Sequence, residues 1–250
     1  SDAYTICSDG FVSLSARAKS VYNLCNRISP KDAIPDVAQD SRNVFYGLSH
    51  YIRNYLTRPI TREDIEESAN FLCTAHSFGG PLSFNPHLWE QILQPPYNGF
   101  LPISIRALPE GSTFFPNEPY VEVHSLEDGF GEIAAHIEPV MLGMVSCATA
   151  RLTIERHWLK RIEEHIRNDF PEMPEEQIRQ RAEFFIHDFG MRASSCGEES
   201  EIYGLAHLLV FNGTDTFSSA YLARQMGALP PIGTSILALA HRIVQGHGTD

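Results

Sequence analysis

The sequence lacks several features that define common classes of protein. Lys and Arg number 19 against 31 Asp and Glu, and a formal net charge of -12 argues against a nucleic-acid-binding surface. The five cysteines are widely spaced without any C-x-x-C pair, so we expect free thiols and no zinc site. No apolar run approaches the length of a membrane span, and no signal peptide is evident. We therefore expect a cytoplasmic protein that binds neither nucleic acid nor membrane.

The composition is otherwise that of an ordinary globular protein. Hydrophobic residues make up 43% and charged residues 20% of the 250 positions. A chain of this length can bury a sizeable core and could hold one or two domains. Anionic substrates stay open despite the negative charge, because a few local arginines can outweigh the global field. A glycine-rich phosphate-binding loop is also missing.

The first 150 residues mix helical and strand patterns. Ser15–Arg27 fits either a helix or a strand. Helical spacing, a Thr61-Arg62-Glu63-Asp64 capping box and short apolar stretches predict helices over Val44–Leu56, Ile65–His76, His87–Leu93 and Ile133–Met144. Alternation over Leu101–Val123, interrupted by proline-containing turns, predicts a small β-rich element. A longer helix is predicted over Thr149–Arg167, with a solvated charged face.

Two stretches in the last third are each a short apolar run followed at once by polar residues and a glycine. They are Phe184–Arg192 and Leu208–Thr216, and they are typical of strands buried on both faces. Cys196–Ala206 has about the length of a crossover helix, which predicts two parallel strands joined by a helix. Because ligands bind at the carboxyl ends of such strands, we expect the functional site there.

The first strand end carries His187, Asp188, Phe189 and Arg192, and the second carries Asp215. Each residue alone has a structural interpretation: a satisfied polar pair, a core ring or a surface cation. Their occurrence together at equivalent places on two neighbouring strands favours a functional site.

These two stretches also carry a family resemblance. His187-Asp188-Phe189-Gly190-Met191-Arg192, then Ala206-His207-Leu208 and Phe211-Asn212-Gly213-Thr214-Asp215-Thr216, resemble the H-D-F-G-Y-R and A-H-L…F-x-G-T-D-T motifs of nicotinamide phosphoribosyltransferase, a type II phosphoribosyltransferase family. Weaker similarity includes Val44–Leu48, Leu101–Ile103, Gly233-Thr234-Ser235 and His241. The resemblance covers nearly all of this chain but about the first half of a family member. It implies an α/β protein: an N-terminal α+β domain over 1-150, then over 151-250 the first strands and helices of an incomplete (β/α) barrel.

The resemblance implies a reaction and roles in it. Nicotinamide would take the phosphoribosyl group of phosphoribosyl pyrophosphate, giving nicotinamide mononucleotide in NAD salvage. Phe189 would offer a ring face to the pyridine, and Arg192 would donate to the carboxamide oxygen. Asp215 would accept from the carboxamide NH₂ and so select nicotinamide over nicotinate. His187 would lie near the phosphates of the donor, and Ser235 near the amide of the bound base.

Further roles follow from the weaker matches. Phe11 stands where the family has a tyrosine that reaches the site of the partner subunit, so a homodimer with a shared site is expected. Arg27 resembles an arginine that contacts the diphosphate, although a surface arginine fits equally well. His241 resembles the histidine phosphorylated when ATP drives the reaction, but Ala240 and Arg242 depart from the family pattern, and a helix-surface histidine is the alternative. Mg²⁺ would neutralise the diphosphate.

The later barrel strands of the family, with their ribose-binding acidic residues and phosphate-binding loop, have no counterpart here. We therefore expect an N-terminal part of a longer enzyme, inactive alone, in preference to a shortened relative that keeps only the base-binding half. Two other functions stay open. One is a nicotinate-preferring enzyme, against which Asp215 argues. The other is a non-catalytic module that binds a pyridine base. Three departures from the family pattern favour it: Met191 in place of a tyrosine, Phe11, and Ala240-His241-Arg242.

Overall fold

The computed structural model describes residues 18–74, 84, 86–239 and 241–246. The chain divides into two compact units. The first comprises the residues up to Pro35 together with Asp40–Ala150, and the second comprises Asp36–Gln39 and Arg151–Asp250. The roles assigned above to the two predicted domains stay predictions.

The first unit has a small antiparallel sheet and several short helices. In chain order its elements are β1 (Val21–Cys25), α1 (Pro30–Ala33), β2 (Asn43–Val44), α2 (Leu48–Tyr51, continued by a π-helix over Ile52–Leu56), α3 (Arg62–Thr74), α4 (Pro86–Ile92), β3 (Ile103–Ala107), β4 (Thr113–Phe114), β5 (Pro119–Ser125) and α5 (Ile133–Met141, continued by a π-helix over Leu142–Ser146). The main sheet has the order β1-β5-β3, and β2 pairs with β4. The predicted β-rich element is confirmed, and Ser15–Arg27 contains a strand.

Alternating side chains of the sheet supply the core of this unit. Leu24 pairs with Val121 across β1 and β5, and both are fully buried together with Val123. Ile137 and Met141 of α5 belong to the same buried cluster. The period-2 pattern of β5 therefore faces an apolar helix, as a half-buried strand requires.

The helical run Ile133–Asp169 is long and apolar enough to cross a membrane, by length and composition alone. The expectation that no run reaches such a length is therefore wrong by that test. Of the apolar window, 44% is buried inside the fold, and Ile137, Met141 and Val145 pack in the core cluster. A core helix satisfies the same test, so this run is weak evidence for a membrane.

Two features around the first helices test the sequence interpretation. The capping box is confirmed, because Asp64 N donates to Thr61 Oγ1 at 3.1 Å and Thr61 N donates to Asp64 Oδ2 at 2.8 Å. The helix predicted from Val44 begins only at Leu48, and Val44 lies in a strand. Gly47 separates the two with a left-handed φ of 101°, and a Cβ there would lie 2.6 Å from the Ala148 Cβ. This glycine conformation ends the strand before the helix starts.

The second unit holds the predicted strand–helix–strand arrangement. Its elements are α6 (Cys147–Asp169, which begins in the first unit), α7 (Glu175–Glu183), β6 (His187–Asp188), a 3₁₀ turn over Gly190–Ala193, α8 (Gly197–Leu208), β7 (Gly213–Thr214), α9 (Phe217–Gln225) and α10 (His241–Gly246). Strands β6 and β7 are parallel and joined by α8, and Thr234 extends the parallel pairing to Gly213. The parallel pair with a crossover helix is confirmed, and the mixed α/β class with it. The incomplete barrel stays a prediction.

The two apolar runs, however, are not buried strands. Phe184 and Phe185 are 57% and 69% exposed, and their amides bond to the last turn of α7. In the second run, Leu208 ends α8 and the amides of Val210 and Phe211 bond to the His207 carbonyl. The runs are helix ends and turns, which periodicity cannot distinguish from short strands. The residues that pair between the parallel strands, His187–Asp188 and Gly213–Thr214, come after these runs.

Candidate functional site

The carboxyl ends of β6 and β7 bring His187 and Asp215 together. Pairing sets His187 opposite Gly213 and Asp188 opposite Thr214, and Asp215 N donates to the Asp188 carbonyl at 2.9 Å. His187 Nε2 then lies 2.6 Å from Asp215 Oδ2. Because a carboxylate only accepts, Nε2 carries the proton of this short, charge-assisted bond. Parallel register alone therefore joins two residues from separate motifs.

The Gly213–Thr234 pairing brings a third residue to the same place. Thr234 N donates to the Asn212 carbonyl at 2.7 Å, and Thr214 N donates to the Thr234 carbonyl at 3.1 Å. The next residue, Ser235, donates from Oγ to Asp215 Oδ1 at 2.6 Å. The two oxygens of one carboxylate thus accept from side chains at the ends of two different segments.

These donors set the charge of the carboxylate. The hydrogen bond from Ser235 is the largest effect and lowers the pKa of Asp215 below its ordinary value. Burial opposes it, and the hydrogen bond and electrostatic interaction with His187 lower the pKa further. The Asp215 side chain keeps 28% of its surface exposed. The site therefore presents an ionised acceptor that solvent or a ligand can reach.

An aromatic face adjoins the histidine. The Phe189 ring lies with its centroid 4.6 Å from that of His187, at an interplanar angle of 39°. Phe189 is 49% exposed, so it is not the core ring of the structural alternative. A flat ligand ring could stack on its open face, as aromatic side chains allow.

Asp188 has a structural role. It is buried, and its carboxylate accepts from Gly190 N at 2.8 Å and from Thr214 Oγ1 at 3.3 Å. Asp188 is therefore satisfied at the strand end, as the structural interpretation allowed, but its partners are Gly190 and Thr214, whereas His187 pairs with Asp215. Its bonds tie the turn after β6 to β7, which keeps the ends of both strands in register.

The other predicted site residues are placed as follows. Arg192 lies on the 3₁₀ turn after Phe189 and is exposed. Arg27 is exposed in the first unit, after β1. His241 is the first residue of α10, but its side chain lies outside the described residues, and so does Phe11. Ser235 and Phe189 thus lie beside His187 and Asp215. The site roles of all the residues named in this subsection, Arg27, Phe11 and His241 included, stay predictions.

A cavity of about 450 Å³ lies elsewhere in the second unit. Its apolar lining includes Ile162, Ile166, Phe170 and Phe185, and none of the predicted site residues lines it. Its polar lining residues, His165, Asp169 and Arg181, are all exposed. It lacks the few desolvated polar groups that orient a ligand, so the strand ends are the stronger candidate site. Across the described ranges, no group of three or more His, Cys, Asp and Glu residues could hold a metal ion.

Comparison with known proteins gives relatives of one class. No protein-family model matches the chain. Human nicotinic acid phosphoribosyltransferase has a solved structure that covers 98% of this chain, with a TM-score of 0.62 and 20% sequence identity, while this chain covers 40% of that one. Likeness at this identity shows the fold alone, which is that of part of a phosphoribosyltransferase.

Sequence comparison finds relatives that share one name. The nicotinamide phosphoribosyltransferase of Xanthomonas campestris pv. campestris (strain 8004) is 30% identical over 212 residues, which are 84% of this chain and 42% of that protein. The one from Acinetobacter baylyi (strain ATCC 33305 / BD413 / ADP1) is 25% identical over 147 residues, 58% of this chain and 28% of that protein. The chain is thus homologous to nicotinamide phosphoribosyltransferases, which confirms the resemblance. It spans less than half the length of these relatives.

Proposed function

We propose that this chain is the base-binding part of a phosphoribosyltransferase that makes nicotinamide mononucleotide from nicotinamide and phosphoribosyl pyrophosphate. One observation carries the proposal: His187, Asp215 and Ser235 are hydrogen-bonded together at the ends of parallel segments, beside the half-exposed ring of Phe189. An ionised acceptor next to an open aromatic face suits a flat heterocycle that carries an amide.

Each group of nicotinamide has a matching side chain. The pyridine ring would stack on Phe189, and the carboxamide NH₂ would donate to Asp215. Both oxygens of that carboxylate already accept one hydrogen bond, but a carboxylate has about four lone-pair sites. It can therefore accept from the amide while Ser235 and His187 stay in place. Arg192, exposed on the adjacent turn, would donate to the carboxamide oxygen.

The same carboxylate would select against nicotinate. The carboxylate of nicotinate would face Asp215, whose pKa is held low by its donors, so the two negative charges would repel each other. A nicotinate carboxylate also lacks the N–H that the acceptor needs. We therefore propose nicotinamide as the preferred base.

The chain would assist transfer by holding the base in line with the anomeric carbon as the diphosphate leaves. Positive charge develops on the ribose in the oxocarbenium-like transition state, and fixed geometry lowers the barrier to such a step. His187 would lie near the donor phosphates. We propose that Mg²⁺ arrives bound to the diphosphate of the substrate, and that ATP coupling would use His241.

Assembly and compartment are part of the same proposal. A homodimer would complete the site with Phe11 of the second copy, and the protein would act in the cytoplasm. Sedimentation of the intact protein tests the first point. A monomer that turns over would contradict the shared site.

The proposal is tested by competition between the amide and the acid. The intact protein, supplied with phosphoribosyl pyrophosphate and Mg²⁺, is expected to form nicotinamide mononucleotide and to prefer nicotinamide to nicotinate in kcat/KM. Asp215→Ser removes the charge and the strong acceptor, so the preference should fall by roughly tenfold or more. Glu172→Ser, a change on the exposed turn between α6 and α7, is the control.

Three outcomes would overturn parts of the proposal. Unchanged selectivity in Asp215→Ser would remove Asp215 from base selection. A preference for nicotinate in the unmodified protein would make it a nicotinate phosphoribosyltransferase. Saturable nicotinamide binding without any mononucleotide would make it a non-catalytic base-binding module.

A further inference from the structure

A series of polar side chains contacts the candidate site through one backbone carbonyl, that of Gly213. His207, near the end of α8, is fully buried, and its Nε2 lies 2.9 Å from the Gly213 carbonyl oxygen. Because a carbonyl only accepts, Nε2 carries the proton. Nδ1 of the same ring lies 3.3 Å from Glu155 Oε1, within ion-pair range although the geometry is not that of a hydrogen bond.

The series of polar side chains extends from Glu155 to the guanidinium of Arg151. Glu155 of α6 is buried, with only 3% of its side chain exposed, and its Oε1 lies 2.5 Å from Arg151 Nη2. The Arg151 guanidinium also lies over the Tyr203 ring of α8, 5.9 Å from its centroid. Three ionisable residues in succession thus connect α6 and α8 to the backbone of β7.

Burying such groups is costly, and apolar side chains of similar size would fill the space at less cost. A series of close polar contacts instead restricts a geometry, because each member limits the direction of the next. The geometry fixed here is that of the Gly213 peptide.

Gly213 is the point at which the parts of the site meet. It pairs with His187 on one side and with Thr234 on the other. The His187 ring lies against its Cα so closely that a Cβ there would be 2.5 Å from His187 Nδ1. A small displacement of this peptide would therefore move His187, Ser235 and Asp215 relative to one another.

We propose that His207 and Glu155 are positioning residues for the site. The contact of Glu155 Oε1 with Nδ1 restricts the orientation of the His207 ring, and the bond from His207 Nε2 to the Gly213 carbonyl holds β7 where His187 can reach Asp215. In this proposal neither His207 nor Glu155 contacts the base. The positioning role rests on the proposed function in one respect: the site that the two residues position is taken to be the nicotinamide site.

The test measures whether His187 keeps its hydrogen bond to Asp215 in the intact protein. His207→Leu removes the donor to Gly213, whereas His207→Gln keeps an N–H at a similar reach and is the matched control. NMR spectra of histidine-labelled protein show the Nε2–H signal of His187, which is assigned by its loss in His187→Gln. In His207→Leu, the feature of that signal that reports the hydrogen bond to Asp215 should disappear. His207→Gln should keep it. The Kd for nicotinamide should rise about tenfold in the first variant and less than about threefold in the second.

The outcomes separate this inference from the proposed function. A folded His207→Leu protein with unchanged His187 signals would overturn the positioning role, as would equal loss in both variants. If His207→Leu does not fold, Glu155→Gln gives the same readout, and an unshifted His187 signal there would overturn the role. If the His187 signals respond as expected but the unmodified protein does not bind nicotinamide, the positioning role holds and the proposed function fails.

Discussion

Replacing Gly213 by alanine tests the account of how the site is assembled. The added Cβ would lie 2.5 Å from His187 Nδ1 and 3.2 Å from its Cγ. Ordinary contact between such atoms needs about 3.5 Å or more, so the imidazole ring must move by about 1 Å. The bond of 2.6 Å between His187 Nε2 and Asp215 Oδ2 cannot persist through such a shift without other changes. Overpacking of this kind costs about 1–3 kcal/mol.

The matching control is Gly197→Ala. Gly197 begins α8, and a Cβ there would meet nothing within 4 Å. Alanine in a helix is favoured over glycine by up to about 1 kcal/mol, so this variant should unfold at the same or a slightly higher temperature.

Thermal unfolding and the His187 spectrum measure the outcome. A loss of 1–3 kcal/mol lowers the Tm of a chain of this size by roughly 2–12 °C, and the signature of the His187–Asp215 bond should disappear in Gly213→Ala alone. A Gly213→Ala protein with unchanged Tm and unchanged His187 signals would refute the close packing of the ring on β7.

Two further predictions follow from titration. Ser235→Ala removes the largest cause of the lowered Asp215 pKa, so that pKa should rise. The ionised carboxylate stabilises the fold above its unfolded-state pKa, and in the variant this stability should be lost at a higher pH as the pH falls. Carbon NMR of the Asp215 carboxyl group measures the pKa, and an unchanged value would contradict the prediction. Burial lowers the pKa of His136 to about 4 against an opposing effect of Glu132; because the folded-state pKa is depressed, stability is full above about pH 6.5 and falls towards pH 4, by up to about 3 kcal/mol. His136→Phe should flatten that part of the unfolding profile, and an equally steep profile would exclude this origin.

The sequence predicted the meeting of His187 and Asp215 from a general rule. Polar residues that follow two parallel strands must lie at one edge, whatever the length of those strands. The prediction was therefore right although Phe184 and Phe185 are exposed rather than buried in a strand. His187 and Asp215 meet because of their places at the ends of the paired strands β6 and β7. The apolar character of the preceding runs has no part in it.

Other parts of the site depend on pairings that no local pattern encodes. Ser235 reaches Asp215 only because Thr234 pairs with Gly213, and the resemblance suggested its place without giving that contact. The interaction of His207 with Glu155 joins helices far apart in the chain. In sequence, His207 falls between a predicted crossover helix that ends at Ala206 and a predicted strand that begins at Leu208, and only the fold reveals what its imidazole contacts.

The most direct test of the central claim is a titration of the intact protein with nicotinamide, followed through the His187 signal. The account predicts a saturable shift of that signal, lost in Asp215→Ser and retained in the Glu172→Ser control. Mononucleotide formation without any shift of the His187 signal, or a shift that persists unchanged in Asp215→Ser, would show that the base binds somewhere else.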